Sequence, residues 1–237
     1  MRIGILQTGD TPEELKGQFG EYGDMFVRLL GGHHHQFEFT LYPVAHNSFP
    51  DDPEECDGWL ITGSRFSAYD DQPWIHTLKV FIGEIAETDR PLIGICFGHQ
   101  IIAEALGGRV EKSHKGWGLG LDTYSLSAGA LETESQNITL NIFHQDQVVK
   151  LPPNTRVFAS SEFCQYAGLV IGDKIMTIQA HPEFENEYNR LLLEARRASV
   201  VPEDLADAAI SHLQSRDALA DSNQFAGWMG DFFCKSA

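Results

Sequence analysis

Positive charge is scarce in this sequence. It has 17 lysine and arginine residues against 34 aspartate and glutamate residues, which gives a formal net charge of −17 and an isoelectric point near 4.8. An acidic surface repels the phosphates of nucleic acids and the headgroups of anionic lipids. The composition therefore argues against nucleic acid and against a membrane surface as partners.

Paired cysteines and long hydrophobic runs are also absent. The four cysteines, at positions 56, 96, 164 and 234, form no C-x-x-C pair. This usage predicts a reducing, cytoplasmic setting. No apolar stretch approaches the roughly 20 residues that span a bilayer. Residues 1–7 have the pattern of a first β-strand and lack the long apolar run and cleavage site of a signal peptide.

Motifs for cofactors and metals are missing as well. The sequence contains neither G-x-x-x-x-G-K-[ST] nor a G-x-G-x-x-G after a strand, so it offers no nucleotide site. Residues 33–35 are three consecutive histidines, which cannot all converge on one ion and have no cysteine or carboxylate partners at ligand spacing. We therefore expect no cofactor and no metal site.

The features that are present indicate a globular α/β protein. The chain has 237 residues, of which 42% are hydrophobic and 22% charged, which is sufficient for a core. In the first half, apolar runs with β-branched residues alternate with helical patterns, which predicts a parallel sheet covered on both faces. The predicted strands span residues 3–6, 37–44, 58–62 and 91–95, and the predicted helices span 13–30 and 73–87.

The second half has short strands close together, which we expect to extend the sheet in mixed or antiparallel pairing. They lie at Val110 and at residues 119–126, 138–143, 156–160, 165–171 and 175–179, with turns at Gly129, 152–154 and 172–173. Helical patterns follow at 185–198, 203–214 and around 225–233. We predict an open mixed, mostly parallel sheet with helices on both faces, in a single domain of residues 1–237 whose residues 185–237 form a C-terminal helical appendage.

The sharpest local feature is a cysteine between two glycines. Residues 94–100 read GICFGHQ, after a buried strand and before a helical pattern that ends at Gly107. G-x-C-x-G at a strand-to-helix turn is typical of a nucleophile elbow, with cysteine in place of serine. Flanking glycines permit the strained turn, and the helix N-terminus favours a thiolate on Cys96. The N–H of Phe97 is placed to face a developing oxyanion.

A thiol nucleophile needs an imidazole base, and the imidazole needs an acceptor on its other nitrogen. His181 follows the predicted strand 175–179 and precedes Glu183 by two residues. His144 also follows a strand and precedes Asp146 by two residues. Spacing alone does not choose between these two pairs.

Together these segments resemble the class I, or triad, glutamine amidotransferases. The elbow at 94–100 and the H-P-E sequence at 181–183 are quite specific in this order. Residues 60–64 resemble the family's oxyanion loop, although Ser64 stands where the second glycine is usual. Residues 143–148 and 116–120 resemble two further family segments. The resemblance spans roughly residues 55–185, and residues 64–75 are similar to stand-alone members that resemble the glutaminase domain of GMP synthase.

The resemblance implies a flavodoxin-like fold and a role for each matched residue. Cys96, His181 and Glu183 would form the triad, which leaves His144 a structural or gating role. The amides of Gly63 and Phe97 would form the oxyanion hole. The substrate-binding residues that it implies are Gln100, Gly116, Trp117 and Gly118.

Three functions follow from the resemblance. The first is hydrolysis of the glutamine side-chain amide through a γ-glutamyl thioester, with ammonia passing to an acceptor on a separate synthetase subunit. The second is a stand-alone γ-glutamyl peptidase or hydrolase, which uses the same triad with a different leaving group. The third is a non-catalytic binding module, against which the intact Cys, His and Glu set argues.

Overall fold

The computed structural model describes residues 1–33, 35–127, 133–215 and 219–235, so His34 and the predicted turn at Gly129 lie outside the described residues. Its strands are β1 (Arg2–Leu6), β2 (Glu38–Tyr42), β3 (Gly58–Ile61), β4 (Leu92–Ile95), β5 (Arg109–Lys112), β6 (Gly118–Leu126), β7 (Asn137–His144), β8 (Asp146–Lys150), β9 (Thr155–Ser160), β10 (Gly168–Ile171) and β11 (Ile175–Ile178). Its helices are α1 (Glu13–Phe19), α2 (Tyr22–Gly31), α3 (Pro73–Glu87), α4 (Phe97–Ala105), α5 (Asn186–Arg196), α6 (Glu203–Leu213) and α7 (Ser222–Lys235).

One nine-stranded sheet forms the centre of the fold, in the order β2-β1-β3-β4-β11-β10-β9-β6-β7. The pairs from β2 to β11 are parallel, and the pairs from β11 to β7 are antiparallel. Following these pairings, β6 and β10 run against the other seven strands. The predicted open, mixed and mostly parallel sheet is confirmed.

Two local expectations are wrong. Val110 does not extend the main sheet, because β5 pairs with β8 in a separate two-stranded sheet where Val110 packs against Val148. The predicted helix over residues 13–30 is two helices, since Gly20 adopts a φ of 75° that ends α1. Glu21 then caps α2, in a capping box with Asp24.

Apolar side chains fill both sides of the sheet. The parallel strands β3 and β4 are buried along their whole length, as expected for strands covered on two faces. On one side, α7 is part of the core, since Phe225, Met229 and Phe233 are fully buried in the same cluster as Ile3 and Ile5. The division into one domain with a C-terminal appendage stays a prediction. No helix in the described ranges has the length and hydropathy needed to cross a bilayer.

The parallel half of the sheet decides where functional side chains meet. The carboxyl ends of parallel strands lie at one edge, which is where open α/β sheets place their sites. There β3 is followed by Gly63, β4 by Cys96, and β11 by Gln179 and His181. Since β4 pairs directly with both β3 and β11, these residues leave the sheet side by side.

Candidate active site

Cys96 occupies a strained turn between β4 and α4. Its backbone has a φ of 52° and a ψ of −103°, a conformation that non-glycine residues rarely adopt. The turn is held by hydrogen bonds from the Cys96 N–H to the Ile178 carbonyl, at 2.9 Å, and from the Gln100 N–H to the Cys96 carbonyl, at 3.1 Å. Cys96 is thereby presented at the wall of a cleft.

The glycines of the elbow are required by the close packing of α4 on the sheet. A Cβ on Gly98 would lie 2.4 Å from the backbone oxygen of Ile61 in β3. A Cβ on Gly94 would lie 2.5 Å from Cδ1 of Ile102 and 2.6 Å from the oxygen of Gly98. The G-x-C-x-G pattern therefore reflects contacts that no larger residue permits.

His181 is fixed on three sides. Its Nδ1 lies 2.7 Å from Oε1 of Glu183, whose side chain is fully buried. Its ring stacks on Phe184, with centroids 4.0 Å apart and planes inclined by 7°. Its backbone N–H donates to the Asn141 carbonyl at 2.8 Å. The carboxylate at Nδ1 leaves Nε2 as the nitrogen that can exchange a proton with another group.

Gly63 lies beside both the side chain of Cys96 and the imidazole of His181. A Cβ at this position would lie 2.7 Å from Cε1 of His181 and 3.7 Å from Cβ of Cys96. The loop after β3, which contains Gly63, is held by a hydrogen bond from the Thr8 hydroxyl to the Gly63 carbonyl, at 3.0 Å. The structure thus brings Cys96, His181, Glu183 and Gly63 together.

The surroundings of His181 favour its charged form. Burial alone would lower the pKa of the imidazole, but Cys96 and Glu183 together outweigh burial and raise the pKa well above its ordinary value. The thiolate is the nucleophilic form of cysteine. A cationic imidazole beside a sulfur is the arrangement of cysteine–histidine pairs that attack acyl groups.

The remaining residues that the sequence singles out divide into three groups. Gln100 and Trp117 line the cleft with Cys96. Gly116 and Gly118 do not line it. Gly118 is the first residue of β6 and packs against Phe163. The Phe97 side chain packs in the core near Trp74, while its N–H, the first of α4, has no acceptor within the helix.

His144 lies in the same cleft, but no carboxylate accepts a hydrogen bond from its ring. Its Nδ1 lies 3.2 Å from the backbone oxygen of Asp146, and its Nε2 is buried without a hydrogen-bond partner. The Asp146 carboxylate instead accepts hydrogen bonds from the hydroxyls of Ser67 and Tyr69. Burial lowers the pKa of His144 to about 4, so this ring is neutral near pH 7.

The cleft extends well beyond the sulfur, with a volume of about 670 Å³. Loops after β1, β3 and β7 form its walls together with the end of α5. Besides the residues already named, side chains on both walls carry charge: Asp10, Glu13, Glu14, Arg65, Lys112 and Arg196. The cleft therefore offers charged groups of both signs to a substrate.

Comparison with known proteins identifies the family. The sequence profile of glutamine amidotransferase class-I matches residues 25–195, which is more than half of the chain. The chain belongs to the class I glutamine amidotransferase family. The resemblance inferred from residues 94–100 and 181–183 is thus confirmed, and so is the enzyme class, an amidohydrolase with a cysteine nucleophile.

Relatives of this chain carry different names. Gamma-glutamyl peptidase 4 of Arabidopsis thaliana is 34% identical over 192 residues, which cover 77% of this chain and 75% of that protein. A GMP synthase (glutamine-hydrolyzing) of Bacteroides fragilis is 26% identical over 166 residues, which cover 69% of this chain but 32% of the synthase. The crystal structure of a glutamine amidotransferase from Thermotoga maritima shares the fold, with a TM-score of 0.75 at 18% identity over 100% of this chain and 97% of that one.

Several residues in or beside the cleft were not found from the sequence. Gln179 donates its side-chain N–H to Sγ of Cys96 at 3.7 Å, and it also accepts from Gln100 at 3.2 Å. Its position two residues before His181, at the end of a buried strand, is a signal that could have found it. Tyr22 and Arg196 reach the cleft from helices that carry no recognisable motif.

Alanine at Gly63 is expected to lower kcat/KM by about 100-fold or more, because its Cβ would displace the His181 ring from the thiol and small displacements of reacting groups are costly. Steady-state kinetics on a γ-glutamyl substrate measures the effect. The matched control is Gly83→Ala in α3, where an added Cβ meets nothing within 4 Å. Equal activity of the two variants would contradict the placement of Gly63 beside the ring.

Acid is expected to destabilise the protein through two buried histidines. Burial lowers the pKa of His144 to about 4 and that of His99 to about 3, against 6.5 for an ordinary histidine. Below pH 6.5 these two histidines are protonated in the unfolded chain but stay neutral in the folded protein. The free energy of unfolding is therefore highest above pH 6.5 and decreases as the pH falls toward 4, by up to about 1.4 kcal/mol per pH unit for each ring.

Urea unfolding at pH 7, 5.5 and 4.5 tests this pH dependence. His144→Gln is expected to flatten the slope, whereas His76→Gln, at an exposed position, is expected to leave it unchanged. Parallel slopes for the two variants and the wild type would rule out a neutral buried His144.

No group of three metal-ligating side chains occurs within the parts of the chain that the structure describes. Of the histidines at 33–35, His35 stacks on Phe37, with centroids 5.4 Å apart, and its Nε2 lies 3.1 Å from Asp231. His35 therefore has a packing role near α7.

Proposed function

We propose that this protein hydrolyses γ-glutamyl amide bonds with Cys96 as nucleophile, His181 as acid and base, and Glu183 as the group that orients His181. The observation that supports the proposal most strongly is the convergence of the strained Cys96, the His181–Glu183 pair at 2.7 Å and Gly63 at one edge of the sheet. This arrangement is consistent with a nucleophile, a base and an orienting acid in one triad.

The proposed reaction proceeds through a thioester. The Cys96 thiolate attacks the γ-carbonyl carbon, and the resulting oxyanion accepts hydrogen bonds from the N–H groups of Phe97 and Gly63. Protonated His181 gives its proton to the leaving nitrogen as the C–N bond breaks, which leaves a γ-glutamyl thioester on Cys96. Neutral His181 then takes a proton from water, which attacks the thioester and releases glutamate and the thiol.

The glutamyl group is proposed to bind between Gln100, Trp117 and Asp146. The Asp146 carboxylate is held by Ser67 and Tyr69 on the cleft wall, where it suits the α-ammonium of the substrate. Gln100 uses its side-chain N–H groups on the Asp146 carbonyl and on Gln179, so its oxygen is the atom left to accept from the same ammonium.

A γ-glutamyl peptide is the substrate class that we favour. The leaving group of glutamine is a single nitrogen and needs no space beyond the thiol. The cleft of about 670 Å³ continues past Cys96 to the end of α5. A relative with 34% identity and similar length is named a gamma-glutamyl peptidase, which supports the same choice.

Glutamine hydrolysis with ammonia delivery to a separate synthetase subunit is the second candidate. The similarity to a GMP synthase, of which this chain matches 32% of the length, supports it. It would require an acceptor site on another chain. Both candidates share the cytoplasmic setting that the unpaired cysteines predict.

Product analysis tests the proposal and separates the two candidates. The purified protein is incubated with glutamine or with γ-glutamylalanine, and the release of ammonia, alanine and glutamate is measured. We expect faster hydrolysis of the dipeptide, with one alanine released for each glutamate. Faster turnover of glutamine would favour the second candidate, and no Cys96-dependent turnover of either compound would overturn both.

A further inference from the structure

Arg196 contributes a positive charge to the substrate cleft from outside the family profile. It is the last residue of α5, while the profile match ends at residue 195. It lines the cleft together with Leu192 and Val200, which are also near the C-terminal end of α5. This part of the cleft is therefore formed partly by a segment that the family profile does not include.

The guanidinium of Arg196 has no ion-pair partner within 4 Å among the described residues. The other two arginines of this segment are fully paired, Arg190 with Glu187 and Glu194, and Arg197 with Glu203 and Asp207. The guanidinium of Arg196 makes no hydrogen bond or ion pair with any described residue, although the chain has twice as many acidic as basic residues. An unpaired, half-buried arginine in a cleft is suited to bind an anion that arrives with a ligand.

Arg196 also lies within electrostatic reach of the reacting groups. Tyr22 lines the same cleft, and burial raises the pKa of its hydroxyl to about 12. The charges of Glu183 and Cys96 contribute to this increase, whereas the charge of Arg196 opposes it. The charges of the triad and of the guanidinium therefore act on the same hydroxyl, and all of these residues except Glu183 line one cleft.

We propose that Arg196 binds the terminal carboxylate of the leaving group, so that the substrates are γ-glutamyl peptides with a free carboxyl terminus. The inference rests on the function proposed above and specifies its substrate. Arginine holds a carboxylate through two parallel hydrogen bonds, which fixes the leaving residue as well as attracting it. Leu192 and Val200 beside it offer an apolar surface to the side chain of that residue.

The test compares acids with their amides. Initial rates are measured with γ-glutamylalanine, γ-glutamylalanylglycine, the C-terminal carboxamide of each, and glutamine. The wild type is expected to prefer at least one free acid over its carboxamide by about tenfold or more, mainly through a lower KM. Arg196→Met is expected to remove that preference while it leaves the carboxamides and glutamine unaffected, and Arg196→Lys is expected to restore it in part.

The control is Arg156→Met, which makes the same change of charge at an exposed position on β9 away from the cleft. It is expected to keep the wild-type preference. Equal loss with acids, carboxamides and glutamine in Arg196→Met, or a wild type without preference, would overturn the role of Arg196. Neither result would touch the proposed triad, which fails only if hydrolysis does not depend on Cys96.

Discussion

Serine or alanine in place of Cys96 is expected to lower the hydrolysis of γ-glutamyl substrates by on the order of 10⁴-fold or more, since nucleophile loss in triad enzymes has effects of this size. The structure gives the physical reason. Cys96 is at the strained turn between β4 and α4, beside the His181 ring, and no second thiol lines the described part of the cleft. The measurement is kcat with saturating substrate, together with circular dichroism to show that the variants fold.

Two other cysteines serve as controls for Cys96. Cys164 is a buried thiol and Cys234 an exposed thiol, and neither lines the cleft. Cys164→Ser and Cys234→Ser are expected to retain near wild-type kcat. A Cys96→Ala variant with more than a few per cent of wild-type activity would show that another group is the nucleophile.

Glutamine at Glu183 is expected to lower kcat by about 10²- to 10⁴-fold, as observed when the orienting acid of a triad becomes an amide. The substitution preserves shape in a fully buried position but removes the charge 2.7 Å from Nδ1 of His181. Because Glu183 helps to raise the pKa of His181, its loss lowers that pKa. The imidazolium is then lost at lower pH, so the alkaline limb of kcat/KM moves to lower pH.

The pH profile distinguishes this role from a structural one. Glu185→Gln, two residues later at an exposed position, removes the same charge without touching the ring. It is expected to leave both kcat and the alkaline limb unchanged. A Glu183→Gln variant with reduced kcat but an unshifted limb would indicate that Glu183 supports packing alone.

The elbow could be predicted from sequence because its signal is local. Gly94 and Gly98 flank one cysteine between a strand pattern and a helix pattern, and the structure shows that each packs too closely for a larger residue. The break between α1 and α2 also has a local cause, the positive φ of Gly20. It was not predicted because two consecutive helices have nearly the same hydrophobic periodicity as one long helix.

The choice of base could not be made from residue spacing. His144 and His181 each follow a strand and each precede an acidic residue by two positions. What separates them is the pairing of β11 with β4, a contact between segments more than 80 residues apart. The family resemblance also implies His181 as the base, and the position of His181 between Glu183 and Cys96 agrees with that assignment.

The outer part of the cleft could not be predicted at all. Arg196 ends an ordinary amphipathic helix. The spacing predicts Asp146 as a partner of His144, but its carboxylate accepts hydrogen bonds from Ser67 and Tyr69. Both positions depend on how distant loops meet at the edge of the sheet. Such contacts leave no periodicity or spacing in the sequence.

Covalent labelling tests the central claim most directly. A glutamine analogue with a chloroketone in place of the side-chain amide is added to the active protein, and the modified peptide is identified by mass spectrometry while activity is followed. The account predicts one equivalent on Cys96, loss of activity in parallel, protection by substrate and slower labelling of His181→Asn. Inactivation with Cys96 unmodified, or full activity with Cys96 labelled, would contradict it.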